Sequence, residues 1–262
     1  MQQNTKKILI LFLVITFALM YGSNGIIAIL LNQGVEFDSQ PIQLLGLIGG
    51  AAPALAALYI VFKFYSKEDA QQYWRNVYRF KVAAYWWALV LLAPLLIGLI
   101  ANLVVHRSFD FLSIGISDVI AFPIVFAVMI FAGGAEELGW RGIMQKRMQP
   151  SVYLPLTGMI IGILWGVWHL PLFLIEGFAH YDYHFLTYLL MTVLFSLIMT
   201  GIVYQTKSVG LAILFHAGIN AFGNLGFGIP MLVNVWLLVF ITVLIGLSFY
   251  WLLAMEKRNP IK

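Results

Sequence analysis

The sequence predicts an all-α fold: a polytopic transmembrane helical bundle of about eight spans that forms a single domain over residues 1–262. Of the 262 residues, 62% are hydrophobic and 10% are charged, whereas a soluble domain averages about 45–50% apolar and about 25% charged residues. Several apolar runs reach about 20 residues, the length at which a helix crosses a bilayer. The 23 glycines and the aromatic content of 15% suit helices that pack closely in lipid.

The composition also excludes several classes of function. The chain contains no cysteine, which rules out disulfides, a thiolate nucleophile, a cysteine-ligated zinc site and prenylation of the chain itself. The net charge of +4 is small, so no nucleic-acid partner is expected. The lipid bilayer is the expected surrounding of the chain.

The first two predicted spans cover residues 8–31 and 42–65. The first run follows Lys6 and Lys7, exceeds the apolar core of a signal peptide and lacks an A-x-A cleavage pattern, so we expect it to be retained. The second contains Gly46, Gly49 and Gly50, a small-residue face that allows close contact with another helix.

The most charged stretch, residues 66–81, predicts an amphipathic helix at the level of the lipid headgroups. Ser66, followed by Glu68 and Asp69, is typical of a helix start. The residues that follow form two opposite helix faces. The apolar face contains Ala70, Tyr73, Trp74 and Val77, and the polar face contains Gln72, Arg75 and Arg79. Such a helix lies in the membrane interface. A solvated loop between spans is the alternative.

The remaining apolar runs predict spans at residues 85–105, 119–147, 153–175, 185–205, 209–227 and 230–255. If the N-terminus is cytoplasmic, these spans place every Lys and Arg except Arg107 in cytoplasmic segments or at cytoplasmic span ends. This tally includes Arg141, although that residue is expected within the membrane. The positive-inside rule therefore favours both termini in the cytoplasm.

Polar groups interrupt three of these spans: Glu136 and Glu137, then His169, then His216 and Asn220. An ionisable side chain at the centre of a membrane helix costs roughly 2.5–3.5 kcal/mol on insertion scales, so such groups need partners or a function. The i, i+4 spacing places Glu137 beside Arg141, and His216 beside Asn220. Glu136 then lies about 100° round the helix from Glu137. This difference suggests that one glutamate, Glu137, supports the structure and the other, Glu136, takes part in the function.

Each of these residues also has a purely structural interpretation. A single histidine or asparagine in a membrane helix often forms only an interhelical hydrogen bond, and Glu137 with Arg141 is expected to be a supporting pair. The presence of all these groups in successive parts of one chain favours a shared functional site. His106, His180 and His184 fall in loops and are expected to be solvated bystanders.

Two chemistries fit this set of side chains. A carboxylate shielded from water is a competent general base, and a His/Asn pair can donate hydrogen bonds to an oxyanion, so water could be activated to attack an amide. No serine or threonine sits in a comparable constellation, so a covalent nucleophile is not expected. Alternatively, Glu136, His169 and His216 are the ligand types of a catalytic zinc, although the H-E-x-x-H spacing is missing.

Three motifs on successive transmembrane helices together resemble the CPBP (CAAX protease and bacteriocin-processing, or Abi) family of intramembrane proteases. The motifs are Glu136-Glu137 followed by Arg141, Trp165 followed by His169, and His216 followed by Asn220. The resemblance covers about residues 127–225, and the type II CAAX prenyl endopeptidases belong to this family.

The resemblance implies a role for each residue. Glu136 would activate water together with His169, while His216 and Asn220 would form the oxyanion hole. Glu137 and Arg141, the latter four residues further on, would brace the site. The implied activity is that of an endopeptidase acting on a membrane-associated peptide or protein. Family members are described both as metalloproteases and as metal-independent glutamate proteases, so zinc stays open as a cofactor.

Two features of the chain bear on the family comparison. Trp165 stands where phenylalanine is usual, which we interpret as a mild aromatic exchange. Prenylated CAAX proteins imply a eukaryotic host, whereas this short chain resembles the bacterial branch, which is linked to peptide maturation, bacteriocin self-immunity and envelope regulation. We therefore expect a multi-pass protein of a bacterial cytoplasmic membrane.

Two other classes of function compete with a protease. A proton-coupled transporter also buries glutamate and histidine, but the sequence shows no internal repeat and its polar set is confined to the second half of the chain. A non-catalytic immunity or envelope scaffold protein would keep its function without Glu136, whereas a protease would lose it.

Overall fold

The computed structural model describes residues 2–108 and 115–258, and within them the chain is helical and contains no β-strand. The longer helices are α1 (Gln2–Asn32), α2 (Gln40–Gly50), α3 (Ala52–Phe64), α4 (Lys67–Val77), α5 (Ala84–His106), α6 (Ile116–Ala132), α7 (Leu154–Trp168), α8 (Phe185–Thr206), α9 (Val209–Phe222) and α10 (Val235–Arg258). Residues 134–148, between α6 and α7, form short helical turns of different pitch. The predicted all-α bundle is confirmed.

Six helical segments of the described chain are long and apolar enough to cross a membrane: Thr5–Asn32, Ala84–His106, Ile116–Met148, Phe185–Thr206, Val209–Phe227 and Val235–Arg258. The pair α2 and α3, bent by 57°, adds a seventh if it forms one span. The chain is therefore a multi-pass membrane protein. Because α7 is apolar but only 15 residues long, the count of eight spans stays a prediction, as does the cytoplasmic location of the termini.

The predicted span over residues 153–175 is α-helical only in its first part. α7 ends at Trp168, and His169 is its C-cap. A proline disfavours α-helical backbone in the residue before it, so the Leu170–Pro171 step ends the helix, and Leu170–Phe173 forms a 3₁₀ turn. This early end places His169 at a helix terminus rather than in the middle of a span.

α4 has the predicted start, and it packs on the bundle. The Asp69 amide donates a hydrogen bond to Ser66 Oγ at 3.1 Å, which is the expected N-cap. Tyr73 and Val77 are buried, and the Tyr73 hydroxyl donates to the carbonyl oxygen of Leu138 at 2.9 Å. The apolar face of α4 therefore contacts the protein, while its depth in the bilayer stays a prediction.

A stripe of glycines on α7 allows this helix to lie very close to α8. Gly158, Gly162 and Gly166 recur at every fourth position, and a Cβ added to Gly162 would lie 2.6 Å from the Cα of Val193. Small residues let two helix backbones approach each other in this way. At the same contact the Ser196 hydroxyl donates to the carbonyl oxygen of Gly158 at 2.6 Å. The glycine stripe therefore sets the distance at which α8 side chains reach α7.

We expect Gly162→Ala to lower the apparent midpoint of thermal unfolding in detergent. The added methyl group would meet backbone atoms of α8 that have little room to move, and overpacking of this kind costs about 1–3 kcal/mol. Gly246→Ala on α10 is the matched control, because a Cβ there meets nothing within 4 Å. Equal midpoints for Gly162→Ala and the unmodified protein would show that the α7–α8 spacing is not as constrained as the structure indicates.

Candidate active site

The two adjacent glutamates lie where the chain after α6 loses its regular helical pitch. α6 ends at Ala132, and the chain continues as a 3₁₀ turn at Gly134–Glu136, a short α-turn at Glu137–Gly139 and a π-helical stretch at Trp140–Gln145. Stretches of 3₁₀ and π geometry within a longer helix occur often at functional sites. The change of pitch presents two consecutive carboxylates to different partners.

Two glycines before the glutamates allow the break to lie against α9. A Cβ added to Gly133 would overlap the side-chain amide of Asn220 and lie 3.3 Å from His216 Nε2. A Cβ on Gly134 would lie 2.6 Å from the carbonyl oxygen of Ile213. The absence of side chains at these two positions therefore brings the glutamates beside the polar residues of α9.

Glu137 is fully buried and links the break to α9. Arg141 Nε donates to Glu137 Oε2 at 2.8 Å, the pair that the i, i+4 spacing predicts. On the other side, His216 Nδ1 lies 2.9 Å from Glu137 Oε1. Both oxygens of the Glu137 carboxylate are therefore engaged. The other ring nitrogen of His216, Nε2, lies on the side of Gly133.

The guanidinium of Arg141 is 1% exposed and its remaining donors reach α8. Its two terminal nitrogens donate to Thr200 Oγ1 at 2.9 Å and to Ser196 Oγ at 3.0 Å. Ser196 in turn donates to Gly158 on α7. A buried guanidinium is stable only when its donors are satisfied, and here the partners come from the glutamate segment and from α8.

Trp165 lies between the first glutamate and both histidines. Its indole N–H donates to Glu136 Oε2 at 2.8 Å. Its ring centroid lies 4.9 Å from that of His216 and 6.0 Å from that of His169. Phenylalanine has no N–H, so the exchange to tryptophan does more than conserve an aromatic ring: it adds a hydrogen bond that holds Glu136.

His169 is oriented by its own helix and by neighbouring rings. Its Nδ1 lies 2.9 Å from the carbonyl oxygen of Trp165. Because a carbonyl oxygen only accepts, this partner assigns the proton of a neutral ring to Nδ1 and leaves the lone pair on Nε2. The ring stacks on His180, with centroids 5.4 Å apart, and meets Tyr188 edge-on at 5.3 Å.

A cavity of about 590 Å³ opens beside these groups. The predicted catalytic residues Glu136, His169, His216 and Asn220 all line it. Among the described residues that line the cavity, Glu136 is the one carboxylate, and there is no lysine or arginine. Glu137 is not part of the lining and supports the cavity wall from behind. The structure thus brings the four predicted residues to one shared space.

The loop histidines do not all behave as expected. His106 and His184 are exposed, but His106 is the last residue of α5 rather than a loop residue, and it lines the cavity. The prediction for His180 is wrong: it is half-buried, it stacks on His169, and its Nε2 lies 3.4 Å from the Tyr188 hydroxyl. Burial lowers the pKa of His180 to about 4, so near neutral pH its ring adds no charge beside His169.

The described residues contain no ready-made ligand group for the zinc alternative, which stays a prediction. Over residues 2–108 and 115–258, no group of three or more His, Cys, Asp or Glu side chains is arranged to hold a metal ion. The expected ligands Glu136, His169 and His216 do not form such a group. Glu136 Oε2 accepts from Trp165, and His216 Nδ1 faces Glu137.

Sequence reasoning missed several residues that shape this site. Ser196 and Thr200 are four residues apart within an apolar helix. The same spacing identified the polar pair His216 and Asn220, so it could also have identified these two residues. Gly133 directly precedes the glutamate segment, but its contact with α9 depends on helix packing. Tyr188, whose ring meets that of His169, carries no sequence signal, because a tyrosine in an apolar helix is common.

A known protein family matches the part of the chain that contains the site. The model of a family described as "Type II CAAX prenyl endopeptidase Rce1-like" matches residues 118–222, a segment that contains both glutamates, both site histidines and the asparagine. The chain is also similar to a protein named CAAX prenyl protease 2 from Methanococcus maripaludis, with 31% identity over 105 residues. This alignment covers 37% of the present chain and spans only 38% of the relative's length.

Arg141→Met should strongly destabilise the protein. The substitution keeps most of the side-chain volume but leaves the buried Glu137 carboxylate without its cation, and breaking a buried pair in this way costs about 3–5 kcal/mol. The measurement is the apparent unfolding midpoint in detergent, with Lys63→Met as the control because Lys63 is exposed. A midpoint for Arg141→Met equal to that of Lys63→Met would mean that the buried pair does not hold the fold together.

Proposed function

Because residues 118–222 match the model of the Rce1-like family, we propose that the chain is an intramembrane endopeptidase of the CPBP family. It hydrolyses a peptide bond of a membrane-associated peptide or protein, with water activated by Glu136 and His169. The observation that carries the proposal is the convergence of Glu136, His169, His216 and Asn220 on one cavity inside an apolar bundle. A shielded carboxylate with two histidines and an amide is the set that general-base hydrolysis requires.

Glu136 is the general base of the proposed reaction. Trp165 holds Oε2, so Oε1 is the oxygen assigned to the attacking water. The carboxylate takes a proton from this water while the water oxygen bonds to the carbonyl carbon of the substrate. The same proton then passes from Glu136 to the amide nitrogen as the carbon–nitrogen bond breaks, which leaves a carboxylic acid and an amine.

His169 positions the water. With its Nδ1 proton directed to the carbonyl oxygen of Trp165, its Nε2 lone pair is available as a hydrogen-bond acceptor. A water that donates one hydrogen to Glu136 and the other to His169 is oriented by two fixed groups. Stacking on the neutral His180 ring keeps the imidazole in this plane.

His216 and Asn220 stabilise the charge that develops on the carbonyl oxygen. Nε2 of His216 and the amide nitrogen of Asn220 both lie against Gly133, and both residues line the same cavity. Two donors that point at one position form an oxyanion hole, and losing one such donor typically reduces kcat by about 10²–10³. Glu137 orients the imidazole by engaging its other nitrogen.

Glu136→Gln should abolish peptide cleavage while the unfolding midpoint changes little. The amide keeps the shape of the side chain and can still accept the indole hydrogen bond, but it cannot take a proton from water. The assay uses purified protein in proteoliposomes and a panel of apolar quenched-fluorescence peptides, one of them carrying a farnesylated cysteine. Addition of a chelator and analysis of bound metal test the zinc alternative with the same preparation.

Glu176→Gln is the matched control for this experiment, because Glu176 is an exposed loop carboxylate. Full cleavage by a folded Glu136→Gln variant would rule out the base assignment. Retention of a cellular phenotype by the same variant would favour an immunity or scaffold role.

Trp165→Phe should lower kcat with little effect on KM. The phenyl ring preserves the contacts with the histidines but removes the hydrogen bond to Glu136, and a hydrogen bond to a charged group is worth about 1.5–3 kcal/mol, or roughly 10- to 100-fold in rate. Trp236→Phe is the control, since Trp236 is largely exposed on α10. Unchanged kcat in Trp165→Phe would show that the indole N–H does not position the base.

A further inference from the structure

The active-site cavity extends to one end of the helical bundle. Among its lining residues, His106 at the end of α5 and Met231 before α10 lie at this end, and we call them its rim. The His184 amide donates to the carbonyl oxygen of Met231 at 2.8 Å, and Phe37 packs edge-on against Phe178, with centroids 5.1 Å apart. These contacts define what we call the mouth end: residues 33–39, 169–184 and 228–234, with the C-terminal end of α5.

The described chain termini lie at the opposite end. α1 reaches the mouth end at Ile27, which clusters with Ile42 and Ile175, so the first residues of α1 lie at the far end. The Leu154 amide, at the start of α7, donates to Glu256 Oε1 near the end of α10 at 3.1 Å. Together with α4 and residues 146–153, these segments form what we call the basic end.

Buried groups separate the active-site cavity from the basic end. Tyr73 of α4 is buried and bonds to the carbonyl oxygen of Leu138, while Arg141 fills the space behind the glutamates. A separate cavity of about 140 Å³ reaches Arg141 from the basic end, but Glu136 is not among the residues that line it. Of these two cavities, the one that Glu136 lines extends to the mouth end.

Positive charge is very unequally distributed between the two ends. Within the described chain, Arg107 is the one Lys or Arg at the mouth end, and Arg141 is buried in the core. The other basic residues lie at the basic end; Lys262, also counted in the sequence tally, lies outside the described residues. An excess of Lys and Arg marks the cytoplasmic side of membrane proteins.

We infer that the active-site cavity opens toward the non-cytoplasmic face of the membrane. The basic end faces the cytoplasm, and the mouth end, with Met231 and His106 on its rim, faces the other side. If the chain is the protease proposed here, its substrate is a membrane-associated peptide or protein whose scissile segment is presented outside the cytoplasm. The direction of opening does not itself depend on catalysis.

The absence of native cysteine makes this inference directly testable by labelling single cysteines. Met231→Cys places a thiol on the cavity rim, and Asp38→Cys places one on an exposed loop of the same end. Gln71→Cys, on the exposed face of α4, reports the basic end. A membrane-impermeant maleimide is added to spheroplasts of the expression host, before and after permeabilisation.

We expect Met231→Cys and Asp38→Cys to be labelled in intact spheroplasts and Gln71→Cys to be labelled only after permeabilisation. Labelling of Gln71→Cys in intact spheroplasts, or protection of Met231→Cys while Asp38→Cys is labelled, would overturn the inference. So would protection of both mouth-end thiols before permeabilisation.

The labelling separates this inference from the proposed function. A protein labelled as expected but inactive on every peptide would contradict the protease assignment alone. An active protease whose mouth-end thiols react only after permeabilisation would contradict the direction of opening alone.

Discussion

The carboxylate of Glu137, shared between Arg141 and His216, is the interaction on which the rest of the site depends. An unpaired charge inside an apolar bundle costs several kcal/mol, so this carboxylate strongly favours arrangements in which both partners are present. Arg141 extends the link to α8, and His216 extends it to α9. One buried acid therefore fixes the relative position of three chain segments without itself lining the cavity.

Close packing of α7 on α8 is the second requirement, and it explains why the polar network can form at all. Ser196 reaches the backbone of α7 and the guanidinium of Arg141 at the same time. This double contact needs a short distance between helices, which the glycines at 158, 162 and 166 provide. Because α7 also carries Trp165, the same packing that supports Arg141 sets the position of the indole N–H that holds Glu136.

Local patterns predicted much of the fold and part of the site. Helical spacing predicted the Glu137–Arg141 pair, because residues four apart are neighbours on any helix. It could not predict that His216, which is 79 residues away, engages the same carboxylate, since that depends on how α9 packs. The apolar run predicted a span that continues through Pro171, whereas α7 stops at Trp168, so His169 lies at a helix end.

The charges of the site impose a further constraint on the proposed chemistry. With Glu136 and Glu137 ionised and Arg141 positive, the buried group carries one net negative charge unless His216 is also protonated. An unbalanced charge is expensive in a medium of low dielectric constant, and protonation of His216 would balance it. A protonated His216 has a hydrogen on Nε2, the nitrogen that faces the Gly133 space. In the proposed mechanism, the contact of His216 with Glu137 would therefore also make His216 a donor to an oxyanion.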